Sequence, residues 1–134
     1  MVVALGATRA PEAATTALGL VLGKKIDPRE TAAIVWELSG ARETRDLAVG
    51  FVEQHFSELA AALPPGFTAR MPWVASGYCD EAHKKEADAF FRGRTTTFLG
   101  GPRELEQALE VITRCEAFVR AQQPSFISYL KEGK

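Results

Sequence analysis

Two histidines and two cysteines are the side chains of this 134-residue chain best suited to chemistry, and their spacing decides what they can do. His55 and His83 stand far apart. Neither belongs to H-E-x-x-H, in which successive helical turns aim two imidazoles at one zinc ion. Cys79 and His83 lie four apart, and Cys115 would complete a set of three soft ligands. Structural zinc usually takes four ligands from tighter pairs, so reduced buried thiols and a partly exposed histidine are the plainer reading. His55 shares an apolar stripe with Phe51, Phe56 and Leu59, which suits a hydrogen-bonded core histidine better than a general base. In Gly19 to Lys25, GLVLGKK, only three residues separate the glycines, and Lys24 is followed by Lys25 where a phosphate loop has Ser or Thr. That stretch reads as a helix C-cap, and no G-x-S-x-G hydrolase signature occurs elsewhere.

The basic residues are scattered, with one exception. Arg92, Arg94 and Arg103 bracket a Thr- and Gly-containing loop, a candidate anion site suited to a carboxylate. The alternative is ordinary solvated arginine, since exposed charges carry little specific energy. Lys and Arg total 16 against 17 Asp and Glu, a formal net charge of -1, so no overall positive field argues for nucleic acid or an anionic membrane. Two cysteines make no disulfide framework, and reduced thiols favour a cytoplasmic setting. No apolar run approaches the ~20 residues that span a bilayer, and the N-terminus has no charged region ahead of its apolar residues.

The elements that must position these residues are helices. Gly101 to Gln122 is the longest clean pattern: Leu105, Ala108, Leu109, Ile112, Cys115 and Val119 share one face, Pro102 sits in the first turn, and Pro124 predicts the stop. Pro11 to Leu22 predicts a short Ala-rich helix ending at Gly23. Asp27-Pro28-Arg29-Glu30 predicts a cap in which Asp27 takes the amide of Glu30, opening a helix to about Ser39. Arg42 to Leu63 predicts one long helix or two with a bend. Phe67 to Tyr78 reads as a loop with a short helical piece, pinned by Trp73 and Val74. Asp80 caps a helix through Arg92, Thr95-Thr96-Thr97 is a loop, and Ser125 to Lys131 is a final short helix. Val2 to Gly6 reads as the tail of a helix begun upstream. The expectation is a single all-α domain over 1–134 of seven or eight helices, either a compact bundle or a curved stack of antiparallel pairs like HEAT and armadillo repeats.

The order of motifs resembles a family. ALGATRAPEAATTALGLVLGKKIDPRET, RDLAVGFVEQHFSEL, EADAFFRG and GPRELEQALEVITRCEAFV look like the C-terminal helical domain of puromycin-sensitive and endoplasmic-reticulum-type zinc aminopeptidases, over nearly the whole chain. In that family the stretch matching Phe51 to Phe56 commonly reads F-L-x-x-N-W, and that matching Glu110 to Phe118 reads E-x-I-x-x-N-x-x-W. Here His55 and Cys115 replace the asparagines, and Phe56 and Phe118 keep an aromatic at each expected packing position. The resemblance implies a curved HEAT-like stack that caps the active-site cavity of a catalytic domain and helps accommodate peptide. The family's H-E-x-x-H helix and G-x-M-E-N loop have no counterpart here, so no catalytic residue carries over. Zinc is expected in the absent catalytic domain, with no cofactor in this chain. The expected partners are that catalytic domain and peptide, with no nucleic acid and no membrane. An independent helical-repeat scaffold for protein partners shares the same architecture and stays open.

Overall fold

The computed structural model describes residues 2–23 and 25–132, and among them there is no strand. Seven α-helices and one 3-10 helix follow in order: α1 Val2–Gly6, α2 Pro11–Gly19, α3 Pro28–Gly40, α4 Arg45–Ala62, α5 Pro65–Ala69, the 3-10 helix Met71–Ala75, α6 Glu81–Arg94 and α7 Gly101–Lys131. The all-α expectation holds. Lys24, part of the GLVLGKK stretch, lies outside the described residues.

Local chemistry explains the starts. Asp27 caps α3, its carboxylate accepting from the Arg29 amide at 2.9 Å, with Pro28 in the first turn where no amide donor is needed. The amide taken is that of Arg29 and not Glu30, because the Arg29 guanidinium folds back onto the same carboxylate at 2.6 Å. Asp80 caps α6 by accepting from the His83 amide at 2.9 Å. Gly100 takes φ 82°, a left-handed turn that glycine adopts without steric cost. The adjacent Gly101 is required by closeness: a Cβ there would stand 2.3 Å from the carbonyl oxygen of Thr95.

The 3-10 helix joins two groups of helices. Met71, Val74 and Ala75 are buried, and the element touches α3 and α4 on one side and α6 and α7 on the other. α1 lies on α3, where Gly6 comes so close that a Cβ would meet the Glu37 Cβ at 2.6 Å. The core joins Ile34 and Leu38 of α3, Val52, Phe56 and Leu59 of α4, Phe91 of α6, and Leu105, Leu109 and Ile112 of α7. Burying such side chains stabilises by about 1.5–3 kcal/mol each against an exposed reference.

Three expectations are corrected. α2 stops at Gly19, before Gly23, and a turn follows through Leu22. α7 runs through Pro124 to Lys131 as one helix, so Ser125 to Lys131 is not a separate element. Proline at 124 removes the bond to the Arg120 carbonyl without ending the helix. Third, Cys79 and Cys115 are not reduced thiols: they are joined in a disulfide, with Cα atoms 5.0 Å apart across 36 residues of sequence. α4 carries the expected bend, at His55 (φ -115°, ψ 19°).

Candidate functional site

The densest polar network lies where the α3–α4 corner meets the start of α6. Gly77 leaves room for Arg45, since a Cβ there would be 2.5 Å from the Arg45 Nε. Arg45 is held in turn: its Nε donates to the Ser39 carbonyl at 3.0 Å, and its Cζ lies 5.4 Å from the Tyr78 ring centre. The Tyr78 hydroxyl donates to Asp46 Oδ1 at 2.6 Å, and its ring stacks on His83 with centroids 3.9 Å apart and planes 7° from parallel. His83 Nδ1 pairs with Asp80 at 2.7 Å. Arg42, Arg45, Asp46, Tyr78, Asp80 and His83 thus edge a cleft of about 640 Å³.

Electrostatics define what this cleft does. Burial pushes the Tyr78 phenol well above its ordinary value, and the bond to Asp46 adds to that, so the hydroxyl stays protonated and donating. Burial also raises Glu53, beside Glu86 in an adjoining recess of about 220 Å³. Asp80 is lowered, chiefly by the His83 amide it accepts from and then by the His83 side chain. The two carboxylates of the network are engaged by Tyr78 and His83. The arrangement holds the α3–α4 corner against the start of α6.

The Asp80 shift carries a pH dependence. A carboxylate whose folded pKa lies below the unfolded value of about 3.9 contributes stability above that pH and loses it as pH falls through the folded value. Asp80→Ala is therefore expected to lower stability by about 1 kcal/mol at neutral pH. Urea titrations repeated at falling pH check this, with the gap to the wild type closing in acid.

The sequence-predicted residues fall as follows. Arg92 is committed: it binds Asp88 at 2.6 Å and Glu106 at 2.9 Å, and the two carboxylates raise its pKa in that order. Arg94 donates to the Phe90 carbonyl at 2.6 Å and lies 4.0 Å over the Phe90 ring. Arg103 is exposed in the first turn of α7. His55 pairs with Glu58 at 2.8 Å and leans on Phe51, as a hydrogen-bonded histidine. Cys79, His83 and Cys115 do not form a ligand set, because the two sulfurs are spent on each other. Among the described residues no group of three or more His, Cys, Asp or Glu side chains is placed to hold a metal ion. Sequence reading missed Arg45, Asp46 and Tyr78. Gly77 beside an aromatic was their one local signal.

α7 outruns the core. Ile112 is its last buried residue, and beyond it Phe118, Val119, Phe126, Ile127, Tyr129 and Leu130 are exposed. Phe118, expected to pack, is 66% exposed.

These features define an all-helical domain, of seven α-helices and one 3-10 helix among the described residues. The family model for the ERAP1-like C-terminal domain matches residues 1–114, and the chain belongs to that family. It is thus a domain of the aminopeptidase C-terminal type. The match stops one residue short of Cys115, close to where α7 leaves the core. No curated protein matches the chain. No described helix is long and apolar enough to cross a membrane.

Proposed function

We propose that the chain acts as the C-terminal helical domain of a zinc aminopeptidase of the puromycin-sensitive type, part of a curved stack that caps the active-site cavity and accommodates peptide without catalysing its cleavage. The observation that carries this reading is the family match over residues 1–114. In this proposal zinc belongs to the catalytic domain, which is the chain's principal partner. With Arg92 committed to Asp88 and Glu106, Arg94 and Arg103 are the residues proposed to meet peptide carboxylates. A cytoplasmic setting was expected from reduced thiols. With Cys79 and Cys115 paired that support is gone, and a bond of this kind persists where the surroundings are oxidising.

The test is an aminopeptidase assay on aminoacyl coumarin amides with added zinc, run on this chain alone and then on a catalytic fragment of a relative with the chain added. No turnover alone and altered turnover of long peptides in the mixture are expected. Turnover by the chain alone would overturn the reading. A helical scaffold for another protein is the second reading, favoured by the exposed apolar residues from Phe118 to Leu130. An in-frame H-E-x-x-H upstream in the gene decides for the first.

A further inference from the structure

Both tryptophans of the chain stand in one cleft, away from the Tyr78 network. Trp36 comes from α3, Phe67 from α5, and Trp73 from the 3-10 helix, with Arg70 between the last two and Pro64 and Gly66 completing a cleft of about 600 Å³. That volume lies in the range of small-molecule sites. Trp73 is fixed in place, its indole Nε1 donating to Glu104 Oε2 at 2.5 Å. The rings of Trp36 and Trp73 are half-buried and Phe67 is 39% exposed, so aromatic surface remains open to a ligand. Behind Trp36 and Phe67 lies a small apolar recess of about 20 Å³.

Charge selects the ligand. Arg70 is the one charged side chain in the lining, it is exposed, and it has no ion pair among the described residues. Glu104, which Trp73 engages, is not part of the lining. The cations of the Tyr78 cleft, by contrast, stand beside Asp46 and Asp80. Aromatic walls favour a flat apolar body, and an unmatched guanidinium favours a carboxylate, sulfonate or phosphate on it. We propose that the Trp36–Phe67–Trp73 cleft is a binding site for a small aryl anion, with the rings enclosing the flat body and Arg70 taking the charge.

Because Trp36 and Trp73 are the only indoles, intrinsic fluorescence reports on this site directly. The probe is 8-anilinonaphthalene-1-sulfonate, titrated into the intact chain with indole excitation, and the uncharged N-phenyl-1-naphthylamine is the comparison. Saturable binding of the sulfonate with quenching of the indoles is expected. Arg70→Gln should weaken it by about tenfold and leave the neutral dye unchanged. Trp36→Leu should weaken both dyes. Arg70 is exposed, so circular dichroism melts of Arg70→Gln should match the wild type and keep the comparison valid. Sulfonate binding equal in Arg70→Gln and wild type, as for dye on the exposed end of α7, would overturn the proposal. So would equal affinity for both dyes, or no saturation up to about 1 mM.

Discussion

Phe91→Ala is expected to destabilise the protein by about 3–5 kcal/mol, among the largest losses available to a single substitution here. Phe91 is fully buried, and its ring meets Phe56 of α4 at 6.2 Å and Phe90 at 4.9 Å, both edge to face. It therefore joins the α6–α7 pair to the helices that precede it. Its backbone carbonyl also receives the Thr95 hydroxyl at 3.0 Å, at the turn that leads into α7. Alanine would leave a cavity that packed helices can only partly close. Domains of this size are stable by roughly 5–15 kcal/mol, so the variant stands near the limit of folding. Urea unfolding should show a lower midpoint with an unchanged slope. Phe118→Ala is the control: at 66% exposure it should change stability by no more than about 0.5 kcal/mol. Equal losses at the two positions would mean that the end of α7 packs on the domain after all.

That contrast bears on how much was legible in the chain. Helix positions followed from periodicity and caps, which are local: Pro28, Asp80 and Pro102 mark the starts of α3, α6 and α7 because first-turn amides need a side-chain acceptor or no donor at all. The core followed as far as Ile112. Past that residue the same stripe continues through Cys115 and Val119 to Phe126, and nothing in a helical period says where the neighbouring helices end. Pro124 misled for a related reason. A missing amide weakens one turn, but it does not by itself decide whether a helix stops.

The candidate site was less legible because its residues come from distant elements. Asp46 and Tyr78 are 32 positions apart, and only the packing of the 3-10 helix against α4 sets their 2.6 Å contact. Arg92, Arg94 and Arg103 stand out in the sequence as cations around one loop, but acidic neighbours decide what a guanidinium has left to offer. Asp88 stands one helical turn before Arg92, a readable pair; Glu106 reaches it only through the fold.

The same tertiary closeness governs the disulfide, where reduction is expected to lower stability by about 3–4 kcal/mol. Cys79 lies in the link between the 3-10 helix and α6, and Cys115 on α7 just past its last buried residue, so the bond closes a loop across 36 residues. In the chain-entropy account a loop of that length restricts the unfolded ensemble by about 3–4 kcal/mol. Both cysteines are only partly buried, so a soluble reductant can reach them in the folded protein. Wild-type protein unfolded in urea with and without a phosphine reductant should show the loss, and Cys79→Ser/Cys115→Ser should show it constitutively and ignore the reductant. Hydrogen exchange adds a spatial readout. The bond anchors α7 where it leaves the core, so reduction should speed exchange most in the turns around Cys115 and in the link at Cys79, while Leu105 to Ile112 stay protected by packing. An unchanged midpoint on reduction, with the thiols shown free by titration, would mean that core packing alone fixes the root of α7.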